Sequence, residues 1–491
     1  MASEIRVNKI ENRSGLGTVT FADTGVDLAG IVTATTFSGS GASLTNLPAG
    51  NVTGTLPAIS GANLTNLPAG NLTGALPAIS GANLTGIAAT DNVRTGILDV
   101  AGVSTFRNTM NVGAAVTISE SGIEASGIGI TCANINGTQI GGRRNIIING
   151  AMEVAQRGTS STGDGYGTVD RIEKDEGGTD ESVTQSQVDV ASGTTPYTEG
   201  FRKAFKLTNG NQTSGAGASD YTRMTYKLEA QDLAKCGWNY TSSSSFVTLS
   251  FWIKSSVAQN FYFIFNSADG TARSYVMETG SLSADTWTKI IKTFPGDSNL
   301  AFNNDTGVGS YLYIYGYLGT TYADNSVSVN AWKNVSNPQT PVNTTTWWTT
   351  NDATLEMTGL QLEVGPQATV FEHRSMGEEL SLCQRYYFKF LEGTQKEVGA
   401  AWYYTSSHAS FFFRFPTTMR TTPTGTDTTG TDYYTIYRNG SGDGINSVAF
   451  ENGSTEQFSA YNSSQSSGTA GQCGLLRSTN ASAKIEFSAE L

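Results

Sequence analysis

The sequence predicts an all-β protein in which an elongated shaft precedes two antiparallel β domains. A 20-residue repeat lies near the N-terminus, charged residues make up only 15% of the 491 residues, and aromatic, strand-like runs begin after residue 144. An ordinary soluble domain contains about 25% charged residues. Here Gly, Ser, Thr and Asn take their place, and this composition disfavours helices and suits short strands joined by turns.

Residues 1–36 predict a small β-structured module at the N-terminus. Stretches of alternating character at 5–7 and 18–21 flank a turn-forming segment at 12–17. Short alternating runs on both sides of such a turn indicate paired strands rather than a helix.

Residues 37–88 contain the repeat. The segment SGASLTNLPAG at 40–50 returns as SGANLTNLPAG at 60–70, and the motif begins again at 80–86. Each unit has too few Leu and Ile residues to enclose a core. The units must therefore pack on neighbouring units, or on identical chains around a common axis. The sequence predicts a shaft, which Gly-punctuated β segments at 89–143 continue to a collar.

Residues 144–374 predict an antiparallel β-sandwich, because long apolar and aromatic runs alternate there with turn residues. A brief helix is expected at 228–236. The strand-like runs lie at 247–253, 261–265, 311–317 and 360–364.

Residues 375–491 predict a C-terminal β domain. A helix is expected to open it, because Ser375 and Glu378 have the spacing of a capping box ahead of Leu380 and Cys383. Beyond this helix, strands are expected at 385–391, 398–404 and 411–415, and an exposed loop rich in Thr and Gly at 421–432.

The charge of the chain disfavours two kinds of partner. The formal net charge is -12, and no Lys- or Arg-rich run is present, whereas a nucleic-acid-binding protein needs a basic stripe. No apolar run reaches the roughly 18 residues that a membrane helix requires. We therefore expect no nucleic acid as a partner and no membrane insertion. Adhesion to an anionic cell surface would have to come from short-range contacts.

The cysteines predict no metal site and no disulfide. Cys132, Cys236, Cys383 and Cys473 are widely spaced and form no ligand cluster. Since no signal peptide is visible, we expect synthesis in a reducing cytoplasm and four buried free thiols.

Candidates for catalysis are few. His373 and His408 are the two histidines, so neither a Ser-His-Asp triad nor a His-rich metal site can be assembled. We expect His373 to be structural and His408 to lie in a loop. Carboxylate pairs that could cleave a glycoside occur between Asp170 and Glu176, where we interpret them as solvated, and at 378–379, where they favour a helix N-terminus. We expect no enzyme, no cofactor and no metal.

Aromatic residues offer a better indication of function. Tyr311, Tyr313, Tyr315 and Tyr317 alternate with aliphatic residues, so a strand would place four phenol rings on one face. These rings either form a surface on which sugars stack or pack against a second layer or a neighbouring chain. We favour packing for most of them.

Further sugar-stacking candidates lie near turns and near the exposed loop of the C-terminal domain. Trp347 and Trp348 are adjacent, and neighbouring strand residues face opposite ways, so one indole is expected in the core and the other at the surface. The candidate glycan-binding residues are Trp347, Trp348, Trp402, Tyr404, Tyr433 and Tyr434.

Six separated motifs resemble, in the same order, a sandwich domain that is common in bacteriophage tail fibres. They are NIIINGAMEVAQRG (145–158), YKLEAQDL (226–233), VTLSFWIKS (247–255), TGLQLEVG (358–365), FEHRS (371–375) and LCQRYY (382–387). The segment SEIRVNKI at 3–10 and the shaft repeats are similar to tail fibres of phages that infect cyanobacteria. The resemblance covers most of residues 1–387, and the remaining residues do not share it.

This resemblance implies a carbohydrate-binding-type jelly-roll domain on a homotrimeric fibre. The N-terminus would attach the fibre to a phage tail or baseplate protein, and the distal β domains would bind a host surface polysaccharide, expected to be lipopolysaccharide. The protein would be made in the host cytoplasm and reside in the virion. The family supplies no catalytic residues. Three alternatives stay open: a polysaccharide depolymerase, a purely structural neck or baseplate fibre, and a bacterial adhesin, which the absent signal peptide disfavours.

Overall fold

The computed structural model describes residues 143–491 continuously and, before them, short segments between residues 8 and 45 and between residues 110 and 139. The chain divides into two units, residues 1–106 and 107–491. The described secondary structure is almost entirely antiparallel β, which confirms the predicted fold class.

The first unit contains a three-stranded antiparallel sheet. Its strands are β1 Lys9–Glu11, β2 Thr18–Ala22 and β3 Gly25–Ala29. The strand predicted at 18–21 is confirmed, whereas 5–7 lies outside the described residues. The repeats at 37–88 also lie outside them, apart from Ser38 and Thr45, so the trimeric shaft stays a prediction.

The second unit begins with short strands. A three-stranded sheet is formed by β4 Met110–Val112, β5 Val116–Ser119 and β6 Gly122–Ala125, and a hairpin by β7 Asn134–Ile135 and β8 Thr138–Gln139. Short strands of this kind are what the Gly-punctuated sequence at 89–143 predicts.

A β-sandwich follows, built from two six-stranded antiparallel sheets. Its elements are β9 Ser160–Ser161, β10 Ile172–Gly177, β11 Thr184–Asp189, α1 Thr195–Thr198, β12 Lys203–Thr208, β13 Tyr221–Glu229, α2 Ala230–Lys235, β14 Phe246–Ser255, β15 Asn260–Ser267, β16 Arg273–Ser281, β17 Thr288–Pro295, β18 Val308–Leu318, β19 Trp332–Asn334, α3 Thr346–Thr349 and β20 Thr354–Val364. All four strand-like runs and the helix expected near 228–236 are confirmed.

The topology of this domain is that of a jelly roll. One sheet has the order β10-β13-β18-β15-β16-β19 and the other β17-β14-β20-β12-β11-β9. The chain crosses between the sheets from β13 to β14 to β15, and again from β17 to β18 to β20, as jelly-roll connections do. Apolar side chains of both inner faces form one core between the sheets, which includes Phe205, Phe251, Phe263, Ile314 and Leu360.

A β-bulge in β18 changes the direction of one predicted tyrosine. Opposite β13, the register skips Gly316, so that Tyr315 lies beside Arg223 and Tyr317 beside Thr222. A bulge moves the following side chain to the other face of a sheet. Tyr317 therefore belongs to the sandwich core, and the expectation of four phenol rings on one face is wrong for this residue. A Cβ at Gly316 would lie 2.9 Å from the Thr222 side chain.

The C-terminal domain consists of one helix and ten strands. They are α4 Met376–Gln384, β21 Tyr387–Glu392, β22 Glu397–Thr405, β23 His408–Arg414, β24 Thr424–Asp427, β25 Tyr434–Arg438, β26 Ser441–Ile445, β27 Ala449–Glu451, β28 Gln457–Asn462, β29 Cys473–Ser478 and β30 Lys484–Ser488. The predicted helix is confirmed, and the Ser375 side chain accepts a hydrogen bond from the backbone N of Glu378. Strand β24 occupies part of the loop expected at 421–432.

Two sheets enclose the core of this domain. A three-stranded sheet has the order β21-β30-β24, and a seven-stranded sheet has the order β26-β25-β29-β22-β23-β28-β27. Phe411 and Phe413 of the larger sheet pack with Ile485 and Phe487 of the smaller one. The smaller sheet therefore covers one side of the larger sheet and leaves the other side uncovered by this domain.

Buried charged residues join the C-terminal domain to the sandwich. Arg171, which is 1% exposed, pairs with Glu490 and stacks on the Tyr386 ring with its guanidinium 3.5 Å from the ring centroid. Arg157 also binds Glu490, at 3.2 Å, and stacks on Tyr387 at 3.5 Å. Two desolvated guanidinium groups of the sandwich thus share one carboxylate of the C-terminal segment.

The carboxylates between Asp170 and Glu176 are not solvated, which corrects the sequence-based interpretation. Asp170 is 1% exposed and Glu173 8% exposed, and the fully buried Lys174 pairs with Glu176 at 2.8 Å. Most of this segment forms β10. Its polar side chains are therefore enclosed by neighbouring strands and by the contact with the C-terminal domain. Burial raises the pKa of Asp170 to about 6.

Removal of the Glu490 carboxylate is expected to destabilise the protein strongly. Glu490→Ala leaves Arg171 buried without its ionic partner, and breaking such a buried pair costs about 3–5 kcal/mol. Urea denaturation measures this loss, and Glu456→Ala, at an exposed carboxylate, is the matched control. Equal stabilities of the two variants would contradict the assignment of Glu490 to the junction.

The ionisation of Asp170 is expected to lower stability as the pH rises. Because its folded-state pKa of about 6 exceeds the ordinary value of 3.8, the stabilisation is complete below about pH 4 and is lost as the pH passes through 6. This difference between the folded-state and ordinary pKa values corresponds to about 3 kcal/mol. The free energy of unfolding of the wild type, relative to Asp170→Asn, should fall by up to this amount. Parallel stability profiles of the two proteins across this pH range would refute the expectation.

Candidate functional site

The side of the seven-stranded sheet that faces away from the core carries a row of aromatic residues. Alternate residues of a strand point to opposite faces. In β22, Tyr403 is fully buried, whereas its neighbours Trp402 and Tyr404 point outward, and Tyr404 is 73% exposed. In β23, Phe411 is fully buried and Phe412 is 50% exposed.

Trp402 and Phe412 form a stacked pair on this surface. Their ring centroids are 5.3 Å apart and the ring planes differ by 20°. Trp402 lies directly opposite Ser410 across the β22–β23 pair, so Phe412 is its diagonal neighbour. Diagonal neighbours on one face of a sheet are within reach when the side chains are aromatic. The pair holds both rings in a fixed orientation.

A second stack lies beside the first. The His408 ring stacks on Tyr461 of β28, with centroids 4.9 Å apart and planes 8° apart, and the Tyr404 ring approaches His408 edge-on at 5.8 Å. We call the surface formed by Trp402, Tyr404, His408, Phe412 and Tyr461 the aromatic face. It spans three adjacent strands of the sheet.

Hydroxyl groups stand between these rings. Ser410 lies between Trp402 and Tyr461 in the register of the sheet, and Ser459 lies opposite Phe412. Aromatic rings can pack against the apolar C–H faces of a sugar, and nearby hydroxyl groups can bind its polar substituents. Contiguous exposed apolar surface of this kind marks interaction sites on soluble proteins. The aromatic face therefore has the chemistry of a carbohydrate-binding surface.

The outer face of the sandwich offers a second candidate. Tyr311 and Tyr313 are stacked with centroids 5.5 Å apart, and the Arg223 guanidinium lies over Tyr313 at 4.1 Å and binds Asp175 at 3.0 Å. Burial raises the pKa of Tyr315 to about 12, so this phenol remains a hydrogen-bond donor at neutral pH. Beside it is a cavity of about 200 Å³, lined by Tyr221, Arg223, Leu318, Tyr322 and Gln339.

The expectation for the adjacent tryptophans is wrong. Trp347 and Trp348 lie on the short helix α3 and not on a strand, and both are fully buried. The Trp348 indole packs on Tyr317 with centroids 5.0 Å apart and donates a hydrogen bond to the carbonyl oxygen of Gly215 at 2.8 Å. A helical turn places both rings in the sandwich core, so neither presents a face to a glycan.

The tyrosine pair at the start of β25 also lies away from the aromatic face. Tyr434 is fully buried, and its hydroxyl donates to the carbonyl oxygen of Lys484 at 2.8 Å. Tyr433 is half-buried and packs against the same core. The residue of this strand that points outward is Tyr437, and the Arg477 guanidinium lies over its ring at 4.1 Å.

The structure thus places two of the six candidates, Trp402 and Tyr404, on one surface. It adds His408, Phe412 and Tyr461, which sequence analysis did not select. His408 opens strand β23, so its expected place in a loop is wrong, whereas His373 is bound to the backbone oxygen of Glu199 at 2.8 Å, as expected for a structural residue. Strict alternation from Trp402 through the hairpin would have identified Phe412.

The cysteines and the other ionisable groups add no site. Cys383 is buried and Cys236 partly buried, but Cys473 is exposed, so the expectation of buried thiols is wrong there, and Cys132 lies outside the described residues. Within the described residues, no three His, Cys, Asp or Glu side chains are grouped so that they could hold a metal ion. None of the helices described there has the length and apolar character needed to cross a membrane.

Comparison with known proteins gives no family. No family model matches the chain, and no curated protein matches it. Similar solved structures include the enzymatically active domain of tailspike protein 4 of bacteriophage CBA120, at 8% identity and a TM-score of 0.24, covering 45% of this chain and 21% of that one. This chain therefore spans about a fifth of the tailspike structure.

Two sugar-binding structures are also similar. The family 11 carbohydrate-binding module of a cellulosomal cellulase of Clostridium thermocellum has 13% identity and a TM-score of 0.20, covering 44% of this chain and 98% of the module. A putative sugar-binding protein of Bacteroides thetaiotaomicron has 10% identity and a TM-score of 0.22, covering 45% of this chain and 99% of that one.

Truncation of a buried and of a surface tryptophan is expected to have different consequences. Trp347→Ala should lower the free energy of unfolding by about 3–5 kcal/mol, because it opens a cavity in the sandwich core. Trp402→Ala should cost less than about 1.5 kcal/mol, since it removes mainly one aromatic stack. Urea denaturation of the two variants compares these costs. A loss for Trp402→Ala as large as that for Trp347→Ala would mean that Trp402 is a core residue.

Proposed function

We propose that the protein is a carbohydrate-binding protein and that the aromatic face is its binding site. The observation that carries this proposal is the arrangement of Trp402, Phe412 and Tyr404. Two of these rings are stacked on each other, and the third is 73% exposed on the same side of the sheet. Apolar rings held in fixed orientations lose little conformational entropy when a ligand packs on them.

We further propose that the chain is a phage tail fibre that binds a host surface polysaccharide such as lipopolysaccharide. The motifs between residues 145 and 387, and the 20-residue repeats before them, support this role through their resemblance to tail fibres. In this proposal the chain is a homotrimer in the virion, attached by its N-terminus to a tail or baseplate protein. Three copies of the site would raise the avidity of a weak single interaction.

The proposed activity is binding without cleavage. Hydrolysis of a glycoside by the usual mechanism needs two carboxyl groups beside the scissile bond. Residues 398–413, which carry four of the five rings of the aromatic face, contain no Asp or Glu. Incubation with host polysaccharide should release no new reducing ends. Their release would favour a depolymerase, whereas a protein that neither binds host cells nor competes with phage adsorption would be a purely structural fibre.

Truncation of the stacked pair is expected to abolish most glycan binding. The full chain should bind a subset of a glycan array, and Trp402→Ala or Phe412→Ala should weaken that binding by at least about tenfold, as for central aromatic residues of interfaces. Circular dichroism confirms that each variant is folded.

Tyr311→Ala is the matched control, because it removes a stacked ring from the sandwich face and leaves the aromatic face intact. This control should bind the same glycans as the wild type. If Tyr311→Ala removes binding and Trp402→Ala does not, the glycan site lies on the sandwich and the aromatic face is not the binding site.

A further inference from the structure

Charged residues are absent from most of the length of the central strands of the aromatic face. Residues 398–413 and 457–476 contain no Asp, Glu, Lys or Arg, although such residues make up 15% of the whole chain. These two segments include nearly all of β22 and β23, the whole of β28 and the first part of β29. The four strands are adjacent in the order β29-β22-β23-β28. The uncharged stretches of sequence therefore form one continuous surface.

Charged residues border this surface at one end of the strands and on the edge strand β27, where Glu451 lies opposite Ser459. Glu397 pairs in register with Arg477, and Arg414 with Gln457. Strand β22 runs from that end towards Tyr404, and β23 runs back from His408. The rings of Tyr404 and His408 thus lie at the end remote from Glu397 and Arg414.

Near the opposite end, the charged side chains of Asp443 and Arg438 are already engaged in hydrogen bonds within the domain. The Tyr403 hydroxyl donates to the Asp443 carboxylate at 2.6 Å and accepts from Nε of Arg438 at 3.0 Å. Asp443 also accepts from the backbone N of Ser467 at 2.8 Å, and Arg438 donates to the carbonyl oxygen of Ser467. These two side chains anchor the segment 463–472, whose own residues are Ser, Gln, Gly, Thr and Ala.

We infer that the aromatic face selects uncharged saccharides over those that carry carboxylate, sialate or phosphate groups; the inference rests on the proposed function. A neutral pyranose can lay its C–H face on the rings and direct hydroxyl groups to Ser410, Ser459 and the segment 463–472. An anionic group placed over Trp402 or Tyr404 would lose hydration and find no cation in these strands to replace it. The nearest one, Arg414, lies beyond Phe412 at the charged end of β23, and the Glu451 carboxylate opposite Ser459 repels an anion.

The net charge of the whole chain also disfavours anionic saccharides. With a net charge of -12, the protein repels a polyanion at separations shorter than the Debye length, which is about 10 Å at 0.1 M salt. A neutral polysaccharide experiences no such electrostatic repulsion. The affinity of the protein for a neutral glycan should therefore be nearly independent of ionic strength.

The experiment uses the full chain and two sets of immobilised glycans. The neutral set contains gluco-, galacto-, manno- and rhamno-oligosaccharides, and the acidic set contains alginate, polysialate and phosphomannan. The Kd for each neutral glycan that binds should change by less than about twofold between low and high salt. Acidic glycans should bind at least about tenfold more weakly than the best neutral one.

Ser410→Lys tests the charge argument directly. It places an ammonium group between Trp402 and Tyr461 and should make the binding of acidic glycans stronger and salt-dependent, while Ser410→Gln, of similar length without the charge, should not. Both variants keep the five rings of the aromatic face.

The outcomes separate this inference from the proposal on which it rests. Preference for acidic glycans that is lost in Trp402→Ala would overturn the selectivity and leave the aromatic face as the site. Binding that is unaffected by Trp402→Ala, or no binding to any glycan of either set, would overturn the proposed site and this inference with it. Neutral, salt-independent binding that Trp402→Ala removes would support both.

Discussion

The two-residue alternation of β-strands is the constraint on which the aromatic face depends. In β22 it sends Tyr403 into the core and its two neighbours, Trp402 and Tyr404, to the opposite side. In β23 it does the same for Phe411 and Phe412. The three-stranded sheet covers only the core side, so aromatic residues of the other parity have no layer of the same domain to pack against. The same periodicity that builds the core also exposes the rings.

The orientation of this surface relative to the sandwich is fixed by buried charge. Arg171 and Arg157 of the sandwich meet one carboxylate, that of Glu490, and each guanidinium also stacks on a tyrosine of the segment after α4. Desolvated ions are stable only when their partners are in place, because an uncompensated buried charge is costly. The junction therefore penalises any relative movement of the two domains. A ligand bound to the aromatic face would be held on a rigid support rather than on a hinged module.

The sequence was sufficient where a single periodicity or a single local rule decides the structure. It located the long strands of the sandwich, the cap at Ser375 and the outward direction of Trp402 and Tyr404. Sequence analysis failed where the side of the sheet to which a residue points is set by a helical turn or a β-bulge, because no local pattern reveals either. Alternation does not apply to Trp347 and its neighbour because four residues form a helical turn, and the bulge at Gly316 reverses Tyr317. For Tyr434 the pattern gives two faces but does not say which of them meets the core.

The two aromatic surfaces differ in what covers them, and this difference favours the C-terminal one as the binding site. On the sandwich, Tyr315 and Leu318 are buried under the following loop, whose Tyr322 packs on them and whose Gln339 accepts a hydrogen bond from the Tyr315 hydroxyl at 2.7 Å. That loop converts most of the outer face into a second small core. On the aromatic face, Phe412 remains half exposed. Exposed aromatic rings on a sheet are a liability for solubility and invite association with other surfaces, so the uncovered stacked pair supports the proposed glycan site over the covered face of the sandwich.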